Sequence, residues 1–181
     1  MTYDGYDELV ASGDIDAVYI ATPNNLHRDY AVRAAQAGVH VLCEKPLART
    51  EDECQAMIHA ADQHDVELMT AYRLHFEEAN TKAVELAHDG TLGDVRLFDS
   101  VFTQDVKAGD MRLDFEKGGG TLHDQGIYCI NAARYLFRAE PTSVFARSAS
   151  RDDERFRAVD EMTAVTLTFP GDWLATFPSS A

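Results

Sequence analysis

Lysine is nearly missing from this chain: Lys45, Lys82, Lys107 and Lys117 are all that its 181 residues contain. Lysine and arginine together number 16 against 31 acidic residues, for a net charge of −15. A surface so acidic argues against binding nucleic acid or anionic membrane surfaces, whose phosphates need cations. Cysteine is scarce too. Cys43, Cys54 and Cys129 are widely spaced and contain no CxxC pair. That spacing speaks against a disulfide framework or a zinc site, and no metal site is expected; the three read as reduced core thiols. No apolar run approaches the roughly 20 residues that a membrane span needs. The opening residues, MTYDGYDELV, have neither the basic start nor the apolar stretch of a secretory signal. A cytoplasmic protein without a membrane partner is the expectation. The apolar fraction, 45%, is ordinary and supports a real core.

Three short apolar runs, Ala17–Thr22, Val39–Cys43 and Val66–Thr70, alternate with helical periodicities over Leu26–Gln36 and Thr50–Ala61. Gly38 closes the first of these helices, and Thr50-Glu51-Asp52-Glu53 opens the second with a capping-box pattern. Met57 and Ile58 are expected on its buried side. Strands separated by crossover helices predict a parallel sheet. The pattern then changes. A helix over Ala79–His88 leads to a strand over Val95–Thr103 with one wet face, then to a polar surface loop over Gln104–Lys117. Ser143–Ser150, Met162–Phe169 and Trp173–Phe177 read as further strands of a sheet covered on one face. The fold class is α/β: a partial Rossmann-type parallel sheet over residues 1–74, then an α+β domain over 75–181 with a largely antiparallel open sheet.

Two stretches carry chemistry. In Val39–Pro46, a buried strand runs into Glu44-Lys45-Pro46, placing an anion and a cation at its carboxyl end, where open α/β sheets bind ligands. A solvated turn is the plainer alternative. In Gly118–Phe137, a glycine run opens a helix whose apolar face is Leu122, Ile127, Ile130, Ala133 and Phe137. Asp124 and Tyr128, four residues apart, fall on one side of it. An acid and a phenol together could grip and deprotonate a hydroxyl. Equally, Asp124 serves as an early-turn carboxylate favoured by the helix dipole, and Tyr128 as an interface aromatic.

The order ATPNNLH, VHVLCEKPLA, TAYRLHFEEAN and GGGTLHDQGIY resembles the glucose–fructose oxidoreductase (Gfo/Idh/MocA) family. Tyr128 and the stretch DDERF at Asp152–Phe156 are most similar to its glucose–fructose oxidoreductase and xylose dehydrogenase branch. The resemblance implies hydride transfer between a sugar or cyclic polyol and NAD or NADP, with NADP preferred. It implies Tyr128 as general base, Asp124 holding a neighbouring hydroxyl, and Lys45 beside nicotinamide and substrate. Thr22, Pro23, Asn24, Leu26 and His27 would line the cofactor, with Glu44 and Lys45 at the nicotinamide ribose and Arg73 closing that side. Read from the residues alone, His27 is equally a packing histidine, and Arg73 an ion-pair partner of Glu44 or Glu77. His75 and His123 receive no role. The resemblance also implies a homo-oligomer paired through the second-domain sheet, Val95–Phe102 and Met162–Phe177.

Family members begin with a GxGxxG turn that cradles the pyrophosphate. MTYDGYDELV corresponds to a point past it, so the chain is expected to be an internal portion with an exposed sheet edge and weakened cofactor affinity. A non-catalytic family member keeping only the fold and its pairing surface is the alternative function.

Acid excess with scarce lysine and no long acidic block reads as a surface adapted to high salt, an ordinary acidic protein being the alternative. Folding should then require molar salt. A melting temperature unchanged between dilute and molar potassium chloride would remove this reading.

Overall fold

The computed structural model describes residues 3–181. They divide into two compact units, one reaching to Tyr72 and including Glu116–Gly118, the other formed by Arg73–Phe115 and Gly119–Ala181.

In the first unit, helix α1 (Tyr6–Ala11) precedes strand β1 (Ala17–Ile20), helix α2 (His27–Gln36), strand β2 (His40–Glu44), helix α3 (Glu51–Gln63) and strand β3 (Leu68–Ala71). The sheet is parallel, in the order β1-β2-β3. Ala31 and Ala34 of α2 and Met57 of α3 pack with Ile20, Val41 and Cys43 of the strands. Alanines at this face allow the helix to lie close, and strand period two turns Val41 and Cys43 the same way. Gly38 holds a φ of +77° as α2 ends, a conformation that only glycine adopts readily. Thr50 caps α3 by accepting a hydrogen bond from Glu53 N at 3.2 Å. Tyr19, Leu42 and Met69 form one row across the three strands on the other face. Tyr19 and Met69 stay exposed there.

Ile58 departs from expectation. It is 41% exposed, whereas Met57 is 1% exposed. Adjacent helical residues differ by about 100° around the axis, so only one of the pair can face the sheet squarely.

The second unit holds helix α4 (Glu78–His88), strands β4 (Leu97–Asp99) and β5 (Phe102–Thr103), helix α5 (Ile127–Phe137) and strands β6 (Ser143–Ala149), β7 (Met162–Phe169) and β8 (Trp173–Ser180). The sheet order is β4-β8-β7-β6, with β5 also on β8. The β6–β7 and β7–β8 pairs are antiparallel, while β4 and β5 run parallel to β8. The single strand expected over Val95–Thr103 is therefore two. Asp99 pairs with Thr176 and Phe102 with Ser179 in one continuous register, so the break falls opposite Pro178, which has no N–H to give.

Cys129, Ala133 and Phe137 of α5 cover Val165, Leu167, Phe169, Ala175 and Phe177 of the sheet. All of β6 is exposed. The polar segment Gln104–Lys117 is more than a surface loop. It contains 3-10 turns at Met111–Leu113 and Phe115–Lys117, and Val106 is buried. Asp153 caps a further turn, Glu154–Phe156, and Arg155 draws its carboxyl down to about 2. The helix ending at Phe137 starts as a π turn, Leu122–Gly126. A π turn is wider than an α turn and shifts the phase of the helix face. Leu122 consequently points outward, and Gln125 and Gly126 take the buried positions.

Met57→Ala is expected to lower unfolding free energy by about 2–5 kcal/mol, and Ile58→Ala by less than about 1 kcal/mol. Urea denaturation of the two variants beside the parent measures the contrast; equal losses would contradict this packing.

Candidate active site

The candidate residues form two groups, one in each unit. In the first unit they stand at the carboxyl ends of β1 and β2. Tyr19 donates its hydroxyl to Glu44 Oε1 at 2.6 Å, and Lys45 N donates to Glu44 Oε2 at 3.1 Å. Both carboxylate oxygens are thereby oriented. The hydrogen bond to Glu44 raises the Tyr19 pKa above its ordinary value, because the phenol must keep its proton to donate. The peptide between Lys45 and Pro46 is cis, and Lys45 is half-buried.

Thr22, Pro23, Asn24 and Leu26 form the turn after β1. Pro23 O accepts from Leu26 N at 2.9 Å, and Asn24 Nδ2 donates to Gly118 O at 2.9 Å. Gly118, at φ +83°, lies so near that a Cβ would stand 2.8 Å from Asn24 Cβ. Arg49 holds the same segment from the other side through Glu116 O at 3.3 Å.

His27 packs inside the first unit. Its side chain is fully buried, with Nδ1 2.9 Å from Pro46 O and Nε2 3.0 Å from Thr22 O. Both partners are carbonyls, which only accept, so a neutral ring donates to one at a time. The residue ties the turn after β1 to the turn after β2 from inside. Arg73 belongs to the second unit, in an exposed 3-10 turn.

The donors and acceptors of the first group comprise a carboxylate, an ammonium, a hydroxyl and a side-chain amide at the carboxyl ends of parallel strands. Such a set fits the hydroxyls of a ribose. Glu44, Lys45 and Thr22 are the groups here that would hold the nicotinamide ribose of a dinucleotide.

In the second unit Asp124 lies in the π turn and Tyr128 in α5. Their four-residue spacing runs from the π turn into the α-helix. Their partners fix them further. Asp124 Oδ2 accepts from Arg112 Nε at 2.7 Å and from Gln125 Nε2 at 2.9 Å. Burial works against the Arg112 charge, but Asp124 and Asp110 outweigh it and hold the guanidinium above its ordinary pKa. Tyr128 stacks on Phe102 with centroids 5.0 Å apart and planes 19° apart. The glycine run makes the Arg112 contact possible. Gly119 N donates to Asp114 O at 2.9 Å and Gly120 N to Arg112 O at 3.0 Å. A Cβ on Gly119 would stand 2.8 Å from Asp114 O and closer still to Arg112 O.

Beside this helix start is a cavity of about 350 Å³, lined among others by Phe115, Gly120, His123, Phe156, Asp160 and Thr163. Arg112, Gln125, Phe102 and Tyr19 escaped sequence reasoning. Arg112 stands within a polar segment, 12 residues from Asp124, and only the tight glycine run hinted that this segment comes close. No group of His, Cys, Asp and Glu suited to a metal ion occurs among the described residues, and none of their helices is long and apolar enough to cross a membrane.

A parallel βαβ unit with polar turns at its strand ends, followed in the chain by a mixed sheet backed by an acid-bearing helix, has the layout of a Rossmann-type domain and an α+β domain. Residues 1–72 match the family described as oxidoreductase family, NAD-binding Rossmann fold, and residues 80–181 match the GFO/IDH/MocA C-terminal domain. The chain belongs to the Gfo/Idh/MocA family. A crystal structure of aldose-aldose oxidoreductase from Caulobacter crescentus, complexed with glycerol, is 41% identical with a TM-score of 0.91. The match covers 98% of this chain and 54% of that one. An uncharacterised oxidoreductase of Rhizobium meliloti is 39% identical over 176 residues, 97% of this chain and 52% of its own. The NADP(+) D-xylose 1-dehydrogenase of Haloarcula marismortui is 37% identical over 177 residues, 94% of this chain and 49% of its own. The chain thus spans about half the length of these relatives.

Cys43, adjacent to Glu44, is no candidate nucleophile. Burial pushes its thiol up to about 12, with Glu44 adding to the effect. In the native protein at pH 8 Cys43 should resist alkylation by iodoacetamide and react once the chain is unfolded. Peptide mapping by mass spectrometry reads this, and native labelling of Cys43 would contradict its burial.

Proposed function

We propose that this chain serves a nicotinamide-dependent oxidoreductase acting on the hydroxyl carbon of an aldose or a related cyclic polyol. The observation that carries the reading is Asp124, oriented by Arg112 and Gln125 on the helix that bears Tyr128. An oriented carboxylate accepts hydrogen bonds from a ring's hydroxyls, and a fixed phenol is placed to take a proton. The names of the similar aldose and xylose enzymes support the same substrate class.

In this reading Asp124 holds a substrate hydroxyl and fixes the ring. Tyr128 Oη takes the proton of the hydroxyl being oxidised. Phe102, stacked on the phenol, limits its rotation and excludes water from one face of the ring. Lys45 supplies a catalytic cation, and with Glu44 and Thr22 binds the nicotinamide ribose, while Pro23, Asn24 and Leu26 shape the turn. Arg73 is retained as a contact on the cofactor side. When bound, the nicotinamide supplies the hydride acceptor. NADP is preferred to NAD, in line with the NADP(+)-named relative.

We also assign self-association to the outer face of the second-unit sheet. Leu97, Phe145, Met162 and Leu174 are exposed strand residues of this sheet. Exposed apolar side chains gathered on one sheet are characteristic of interaction surfaces.

Calorimetric titration of NADP and NAD in high salt, followed by sugar-dependent NADP reduction, tests the reading. Tyr128→Phe should lower kcat by roughly 100- to 10,000-fold, the usual contribution of a general base, with sugar affinity nearly unchanged. Turnover that survives the substitution would assign the base to another group.

A further inference from the structure

Gln125 is an amide in an apolar position. It is 4% exposed, on the side of the π turn that faces the core. Its Nε2 donates to Asp124 Oδ2 at 2.9 Å and to Gln104 Oε1 at 2.6 Å. Its own Oε1 is buried with no hydrogen-bond partner among the described residues. Rotating the amide by 180° would not relieve this, because it would set Oε1 against two acceptors, Asp124 Oδ2 and Gln104 Oε1. The NH2 end is therefore fixed toward Asp124 by its chemistry. A buried acceptor left bare is unfavourable, and a hydrocarbon side chain of similar size would avoid it. The arrangement makes sense where the donated hydrogen bond has a use.

We propose that Gln125 is a positioning residue for Asp124, acting with Arg112 to hold one carboxylate oxygen as an acceptor only, so that the carboxylate keeps a single orientation toward substrate. Arg112 Nε and Gln125 Nε2 converge on the same oxygen. One brings charge from the segment before the glycine run, the other a neutral donor from within the helix. Gln104, next to β5, sets the amide plane by taking the second hydrogen. The charged groups around the amide are Asp124, Arg112 behind it, and Asp110 on the far side of Arg112. The catalytic consequence rests on the function proposed above, and the geometry does not.

Two readouts separate these. The first needs no turnover: the side-chain amide resonances of Gln125 in a 1H–15N spectrum of the full chain, assigned by their loss in Gln125→Met. In Asp124→Asn, the Gln125 proton facing residue 124 should move upfield and exchange faster with solvent. Unchanged resonances would overturn the contact. The second is kinetic. Gln125→Met, which removes both donors at nearly constant volume, should lower kcat by roughly 10- to 100-fold with little change in KM, the scale of a lost hydrogen bond to a charged group. Gln125→Glu should behave differently with pH. The introduced carboxyl, while protonated, still donates one hydrogen bond to Asp124; once ionised, it repels that neighbour. The kcat of this variant should therefore fall as pH rises through the range where the new carboxyl ionises, a fall the parent lacks. A merely structural role would lower kcat equally at all pH values. Parent-like kcat in Gln125→Met, or a parallel profile in Gln125→Glu, would overturn the positioning role. A parent without sugar-dependent reduction would sink the proposed function alone, leaving the amide result to decide the geometry.

Discussion

The close approach of backbone to backbone at Gly119 is the constraint on which the acid-bearing end of α5 depends. A single Cβ there would drive the Met111–Leu113 turn away. With that turn would go Arg112, and with Arg112 the charged partner of Asp124. The hydrogen bonds from Gly119 and Gly120 to Asp114 and Arg112 do the joining, and the missing side chain permits it. A charged pair made this way needs no long-range steering: the backbone brings guanidinium and carboxylate together, and the hydrogen bond completes a geometry already set.

The first unit uses a side chain for the same purpose. The His27 ring sits between the turns that leave β1 and β2 and meets a carbonyl from each. The strand ends that carry Thr22 and Lys45 are thus coupled by a buried polar group whose partners are both backbone atoms. Carbonyls at the end of a parallel sheet have lost their ladder partners, and a histidine placed between two of them gives its N–H to one at a time. Glu44 is treated similarly, with one oxygen given to Tyr19 and the other to the next backbone N–H. In both units the polar groups at the chemical ends are oriented by neighbours before any ligand arrives, which is the condition for selective recognition.

Much of the architecture is legible from periodicity. The βαβ alternation, the Thr50 cap and the covering of one sheet face all follow from local chemistry and side-chain spacing. Sequence and structure part where two arrangements compete locally. Ile58 lies outside because the apolar stripe of α3 is narrower than its residue types suggest. The start of α5 looks α-helical in sequence because a π turn leaves no mark in apolar spacing until the buried Gln125 and exposed Leu122 reveal the shifted phase. Val95–Thr103 looks like one strand because the interrupting residue, Pro178, lies on the partner strand, 77 positions from Val101 in the register that pairs Asp99 with Thr176.

By itself the sequence determined the class of fold, the family and the identity of the polar residues at the strand and helix ends, because these depend on residue type and near-neighbour spacing. Tertiary structure alone decided the partners of those residues. Arg112 on Asp124, Gln125 between Asp124 and Gln104, Phe102 against Tyr128 and His27 between two turns are contacts across 12, 21, 26 and 19 residues or between adjacent ones in a turn of unforeseen width. Such contacts depend on where backbones can approach, and that is set by packing in three dimensions.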